Sequence, residues 1–598
     1  MSKLLLRPSS ILMTGIALLS IFNVKSNEDA QRASDCHSHG RPVTAIKIRD
    51  KNVGFQNSPV SVSSCLNDLA VTGATTTIYR NAVAEPSIAV NPNDRRKVII
   101  AFEQGVIGSE TVANLGALTV GISYSRDGGK HWNHSHSLDT QICDGGFADT
   151  VSNIQVSYAS NGKAYLTATF ANVSNNPNTL NQSGVFVSVS EDDGKTWSYP
   201  TILDASSHFI NEELNTFPLT NNVQISVDPN NPNNVYAVWT RAADGNTLHS
   251  NSIISRSTNG GLTWSDNAIL YNPSNDVPFR QINNGNANNL NIVNNQLITL
   301  PNGTLLNFMT RTYAAPGTTN QQFVNDVWPY QYRQFDIAVT RSTDNGATWS
   351  TTATPIAMID GNSTFTGGYT YSGNDITGGV GTEFSTQGSN QFFDVAINPQ
   401  NGRMYVVYQS GEFSANQLPQ IALISSRDNG MTWSQPVRVS TTPLNSPNPQ
   451  AFTPAISVSE NGIVGLLYQD FRNSDIAVPN TSSNTKTDVW FAQYRETNSQ
   501  TGGSTGVGLD FINNVRISSK SYNIQAGPIV AGGVETNGNY QDLVTQGNNF
   551  YAAYVKTNKV IPMPTQTLVN NPQTNTVLIL DDNRITSPYF SRINTRLV

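Results

Sequence analysis

The stretch Ser125-Arg-Asp-Gly-Gly-Lys-His-Trp132 returns four times along the chain. The copies are Ser190-Glu-Asp-Asp-Gly-Lys-Thr-Trp197, Ser257-Thr-Asn-Gly-Gly-Leu-Thr-Trp264, Ser342-Thr-Asp-Asn-Gly-Ala-Thr-Trp349 and Ser426-Arg-Asp-Asn-Gly-Met-Thr-Trp433. All read Ser-x-Asp-x-Gly-x-x-Trp, with Asn259 in place of the Asp in the third. Each residue type has a task in a hairpin turn. The Ser and Asp oxygens accept backbone N–H groups, and Gly takes a positive φ that a Cβ would resist. The Trp ring then buries itself against a neighbouring strand.

Working outward, a second unit precedes each copy: an alternating apolar strand, a turn and another strand. Pro86-Ser-Ile-Ala-Val-Asn-Pro-Asn93 followed by Val98-Ile-Ile-Ala-Phe102 shows it, and related stretches run over 223–239, 393–408 and 455–468, with weaker ones at 154–170 and 297–309. A boxless unit surrounds Asp488-Val-Trp-Phe-Ala-Gln-Tyr494, and a last strand pair covers 540–554. Repeats at intervals of roughly 65 to 85 residues exceed the ~40–50 of common propeller repeats, so some units carry long inserted loops. The expectation is an all-β chain folded as a six- or seven-bladed β-propeller. Seven follows if terminal strands complete the last blade, and six if 540–554 only closes an incomplete circle. Seven is the preferred count, because a strand from the other chain end removes an exposed sheet edge.

The repeated motif is the Asp box, or BNR repeat, and the chain resembles the sialidase (neuraminidase) superfamily, whose blades carry it between their third and fourth strands. The resemblance implies a secreted exo-α-sialidase-like glycoside hydrolase. In that family three arginines hold the substrate carboxylate, a Tyr activated by a Glu is the nucleophile, and an Asp serves as acid/base, outside the two-carboxylate scheme. The boxes themselves sit at the outer edge and read as scaffold.

Functional side chains are expected just before the first strand of a blade or just after the second. That filter selects Glu85, Asp149, Asp394 and Asp542 before first strands, and Glu103, Arg241, Arg311, Asp470 and Arg472 after second ones. By resemblance, Arg241, Arg311 and Arg472 bind the substrate, since a guanidinium matches a carboxylate bidentately. Glu103, Asp149 and Asp470 are the candidate acids and bases. Tyr371 is the candidate nucleophile, with Tyr369 and Tyr540 as alternatives. The family opens its first blade with Phe/Tyr-Arg-Ile-Pro; this chain has Ala84-Glu85-Pro86-Ser87, with Ala84 at the Arg position and Arg80 nearby. Two other readings stay open: a non-catalytic propeller that binds glycans or proteins, and a glycosidase for neutral polysaccharide.

Composition narrows the partners. With a net charge of -7 and 13% charged residues, the chain lacks the clustered Lys and Arg of a nucleic-acid surface. Lys3 and Arg7 precede the apolar run from Ile11 to Phe22, which reads as a secretory signal removed near residue 26. Residues 27–75 are then an extension or closing strands, 76–556 the propeller and 557–598 a closing segment. No membrane span is expected after signal removal, and the protein is expected to be a secreted or periplasmic monomer. Three cysteines, Cys36, Cys65 and Cys143, and seven scattered histidines suggest no metal site and no cofactor, with a Cys36–Cys65 bridge conceivable after export.

Overall fold

The computed structural model describes residues 43–45, 50–54, 75–109, 116–135, 138, 140, 146–172, 180–209, 220–243, 246–282, 290–314, 332–359, 369–371, 385–387, 393–414, 418–474, 486–497, 507–530, 534–535, 538, 540–558, 566–571, 576–581 and 584–597. The signal segment over 1–26 and the Cys36–Cys65 pair lie outside the described residues.

Residues 44–596 form one compact unit built almost wholly of antiparallel strands. Four-stranded blades follow one another. The first comprises Thr75–Val90, Val98–Ser109, Ala117–Ser125 and Asn133–His134. The second runs through Thr150–Tyr158, Ala164–Asn172, Leu180–Ser190 and Thr201–Phe209. Blades 3 to 6 start at Thr220–Val227, Leu290–Thr299, Phe393–Ile397 and Ala451–Val458. The seventh unit pairs Asp542–Gln546 with Asn549–Thr557 and then Thr586–Leu597, and its outer strand is Lys51–Asn52 from the far end of the chain. The first strands of blades 7 and 1 touch, which closes the ring.

The apolar pattern explains this stacking. Met404–Ser410 and Gln420–Ser426 are buried at every position, as expected of strands covered on both faces. Between blades 4 and 5, Leu306, Phe308 and Val339 pack on Met404, Val406 and Ile424. Between blades 7 and 1, Tyr551, Val555 and Phe590 pack on Val98, Ile100 and Phe102. Each box works as its sequence implies. The Ser hydroxyl accepts the N–H of the Gly four residues on, at 2.9 Å in the first box and 3.0 Å in the fifth. The Asp or Asn oxygen accepts the N–H four residues beyond itself, at 2.8 to 2.9 Å in all five.

Arginines at or beside the boxes link successive blades. Arg126 donates to the Asp192 carbonyl (3.0 Å), Arg256 to that of Asn345 (3.2 Å), and Arg427 to that of Thr497 (2.8 Å). The second strands are longer than expected from sequence. Glu103, Arg241 and Arg311 therefore stand within Val98–Ser109, Val235–Ala243 and Leu305–Ala314, not after them. Asp470 is the last residue of Ile463–Asp470, and Glu85, Asp394 and Asp542 likewise fall inside first strands, not before them.

Candidate active site: the channel and its Glu–Tyr cluster

The first strand of several blades carries a bulge. Glu85, Asn153, Asn222 and Thr453 have φ of 49°, 52°, 53° and 47°, and the pairing register breaks at each of these places. Asn tolerates the left-handed region; Glu and the β-branched Thr do so reluctantly, so packing must impose it there. The extra residue re-aims the following side chains. Two positions on, the blades present Ser87, Gln155, Gln224, Gln296, Asp394, Ala455 and Asp542 in turn.

These side chains form a girdle. Asp542 Oδ2 accepts the Ile88 N–H at 2.8 Å, Ser87 Oγ the Val156 N–H at 3.2 Å, Gln224 Oε1 the Leu297 N–H at 2.5 Å, and Asp394 Oδ2 the Ile456 N–H at 2.7 Å. Each bond thus runs to a neighbouring blade. Inside lies a channel cavity of about 250 Å³, lined by Asn153, Gln155, Gln224, Gln296, Asp394, Tyr540 and Asp542 among others. Burial pushes the Asp394 carboxyl up to about 7, against the N–H groups of Ile456, Gln296 and Val395. Asp542 is raised for the same reason.

Beside the channel, two glutamates and a tyrosine meet from both ends of the chain. Glu85 and Glu103 are 4% and 5% exposed, and they hydrogen-bond to each other. Burial first, then the charge of Glu85, holds the Glu103 carboxyl well above the ordinary carboxylate range. Two buried carboxyls in contact cannot both ionise easily. Glu103 Oε1 also accepts the Asn153 N–H at 3.1 Å. The Tyr540 hydroxyl lies against Glu85 and Gln155, and burial with the charges of Glu85 and Glu103 keeps it protonated far above its usual range. Gly538, at φ 99°, lets the chain pass over Glu85: a Cβ there would sit 2.5 Å from the Glu85 nitrogen.

The other expected residues are distributed differently. Arg311 is 2% exposed, bidentate to Asp336 (2.9 and 2.7 Å), bonded to Asp276 at 3.0 Å and stacked 4.1 Å over the Phe279 ring. Arg472 pairs with the fully buried Asp470 at 2.5 Å and stacks 3.8 Å over Trp490. Arg241 pairs with Asp204 at 3.1 Å and keeps 27% of its side chain exposed. Each guanidinium thus has a carboxylate of its own. Asp149 stands half-buried just ahead of the first strand of blade 2, its N–H bonded to the Ala171 carbonyl at 3.1 Å. Tyr371 ends the short strand Tyr369–Tyr371, and its side chain lies outside the described residues.

Sequence reasoning did not single out the channel amides, although the signal was present: Asn153-Ile-Gln-Val156, Asn222-Val-Gln-Ile225 and Asn294-Asn-Gln-Leu297 repeat one pattern. Glu85 passed the positional filter but had no assigned role, and Tyr540 stood among three interchangeable tyrosines.

Residues 79–372 match the model of the BNR repeat-like domain family. No curated protein matches the chain. Solved structures of similar fold include an α-L-arabinanase of Penicillium chrysogenum complexed with arabinobiose, at 12% identity, 71% of this chain, 98% of the other and a TM-score of 0.41. A Dyadobacter fermentans protein of unknown function gives 12%, 92%, 99% and 0.40. The intramolecular trans-sialidase of Ruminococcus gnavus gives 13%, 86%, 95% and 0.36. At such values these likenesses assign no activity. Its repeated boxes and its succession of four-stranded antiparallel sheets make the chain an all-β propeller, and the BNR repeat-like match over residues 79–372 agrees with that fold.

Proposed function

We propose that the chain is a secreted glycoside hydrolase that cleaves a terminal sugar at the channel mouth, with Tyr540 as nucleophile. One observation carries this reading: the Tyr540 hydroxyl lies beside two buried carboxyls, Glu85 and Glu103, whose charges act on it. A phenol needs a base to become nucleophilic at neutral pH. With Glu103 keeping its proton, ionised Glu85 takes the phenolic proton as the Tyr oxygen attacks the anomeric carbon and the bond to the leaving oxygen breaks; water then cleaves the Tyr–sugar bond, with Glu85 returning the proton to the Tyr oxygen. Asp149, at the edge of blade 2, is the proposed acid for the leaving oxygen. Tyr540 replaces Tyr371 in this role because its carboxylate partners are in place.

A sialoside is the first substrate to test, since a Tyr–Glu pair is what the sialidase resemblance implies. Of the three expected clamp residues, Arg241 retains solvent exposure and remains the proposed carboxylate contact. Arg311, Arg472 and Asp470 act as scaffold in this reading. The amide-lined channel favours a second substrate class, a neutral terminal sugar such as an arabinofuranoside, because amides donate and accept hydrogen bonds without charge. The secretory run Ile11–Phe22 supports action outside the cell.

The test is hydrolysis of fluorogenic sialosides and arabinofuranosides by the purified protein. We expect turnover of one class, with kcat lowered about 100-fold or more in Tyr540→Phe and in Glu85→Gln. Absence of turnover on both classes, or full activity in Tyr540→Phe, overturns the reading.

A further inference from the structure

We infer that Gln155 is the positioning residue of the Tyr540 nucleophile: its side-chain amide donates a hydrogen bond to the phenol oxygen and so keeps the phenol's own proton directed at Glu85. This rests on the glycosidase reading above and assigns the residue that prepares its nucleophile.

The argument begins with what the girdle leaves over. Its backbone-binding side chains come from blades 1, 3, 5 and 7: Ser87 accepts the Val156 N–H, Gln224 that of Leu297, Asp394 that of Ile456 and Asp542 that of Ile88. Gln155, at the same position in blade 2, makes different bonds. Its Oε1 faces Ser87 Oγ at 3.4 Å, and its side chain also hydrogen-bonds to the Tyr540 hydroxyl. A primary amide has one accepting end and one donating end. With the oxygen turned to Ser87, the nitrogen is the end that meets Tyr540. The phenol therefore receives an N–H from Gln155 and gives its own proton to its other side-chain partner, Glu85.

Both ends of this contact are held. Ser87 Oγ is fixed by Asp542 Oδ2 at 3.1 Å and by the Val156 N–H at 3.2 Å. Tyr540 and Asp542 turn toward blades 1 and 2, while Gln541 between them gives its amide N–H to the Thr453 carbonyl of blade 6 at 2.7 Å. Tyr540, Gln155, Ser87 and Asp542 thus join blades 7, 1 and 2 beside the channel that Tyr540 and Gln155 both line.

The chemistry follows from the direction of the bonds. Burial and the charges of Glu85 and Glu103 favour the neutral phenol, whereas the Gln155 bond favours the phenolate. The donor is in place before Glu85 takes the proton, so no group has to reorient as charge develops on the oxygen. Gln155 occupies one lone pair of the phenol and Glu85 its O–H, which leaves the other lone pair for the anomeric carbon.

The experiment uses the full-length protein in two arms. In the first, a trifluorotyrosine, whose phenol ionises more readily, is installed in place of Tyr540 and its ionisation is followed by fluorine NMR. Gln155→Met, which keeps the length and removes the N–H, should raise the pH of half-ionisation by about one unit, the roughly tenfold effect of one hydrogen bond to a charged group. Gln155→Glu, of the same shape and opposite polarity, should raise it further. A residue that only fills space would leave the midpoint where it is. In the second arm, on whichever sugar class the wild type hydrolyses, Gln155→Met should lower kcat about tenfold with KM changed less than about twofold. An unchanged midpoint in Gln155→Met overturns the assignment. So does a wild-type kcat in Gln155→Met where Tyr540→Phe is inactive, a result that leaves the glycosidase reading standing. No turnover by the wild type removes that reading, and the role of Gln155 with it.

Discussion

At the residue scale, charge distribution separates scaffold from chemistry. Arg311 and Glu103 look alike as isolated charged residues on second strands, yet one is fully compensated and the other is not. Arg311 holds two carboxylates and stacks on a ring, all out of solvent. Removing it leaves Asp276 and Asp336 buried without a counter-charge, so Arg311→Ala should lower stability by about 3–5 kcal/mol, measured by urea denaturation. A loss of substrate affinity with unchanged stability would return it to the binding site. Asp394 gives the opposite kind of test. Its folded pKa of about 7 lies above its unfolded value, so the folded state holds a proton that the unfolded chain has released. The associated stability is complete below about pH 4 and disappears as pH rises through about 7. The wild type should therefore lose a few kcal/mol between pH 5 and pH 8; stability that is flat or rising over that window refutes the shift.

At the element scale, the box turns are local devices whose glycines also meet neighbouring blades. Gly129 has φ 82°, and a Cβ there would lie 2.0 Å from Phe590 Cε1 in the last blade. Gly129→Ala should therefore destabilise by about 2–4 kcal/mol, combining backbone strain with overpacking, as read from the denaturation midpoint. Gly303, in an ordinary turn with φ 82° and open space at its Cβ, is the control: Gly303→Ala carries the backbone cost alone and should lose clearly less. Equal losses would mean that the box does not clamp the last blade to the first. The bulged first strands were not visible as bulges in sequence, because a left-handed Glu85 or Thr453 contradicts local preference. Only contacts made by the whole ring hold them.

At the scale of the whole molecule, closure depends on a few residues near the N-terminus. Asp50 receives Lys556 Nζ at 2.6 Å, the Tyr554 hydroxyl at 2.8 Å and the Ser519 N–H at 2.6 Å. Burial pushes its carboxyl up, but Lys556 and Ser519 outweigh this and the net shift is downward. With a depressed folded pKa, this contribution is present above the unfolded carboxylate pKa of about 3.9 and is lost as pH falls below it. Asp50→Ala should cost about 3–5 kcal/mol by leaving Lys556 buried and unpaired. Adding Lys556→Met should recover much of that loss. If the double variant is no more stable than the single one, the pair is not the latch.

The five boxes determined, by themselves, that the chain is a ring of small sheets, and five of its turn geometries could be read residue by residue. This was possible because a box closes its hydrogen bonds within eight residues, so the information needed is contiguous. The outer position of the boxes and their scaffold role were what the family resemblance implied. The Glu–Tyr cluster was only half legible. Glu85 and Glu103 were picked out by blade position, but nothing in the chain brought Tyr540 to them, since that meeting requires the last blade to lie against the first. The arginines show the same limit: blade position and the family resemblance grouped Arg241, Arg311 and Arg472, whereas their carboxylate partners, Asp204 for Arg241, Asp276 and Asp336 for Arg311 and Asp470 for Arg472, could be read only from the folded protein. Electrostatic pairing is decided by distance in space, and in a closed ring the nearest carboxylate can come from an adjoining strand, blade or chain end.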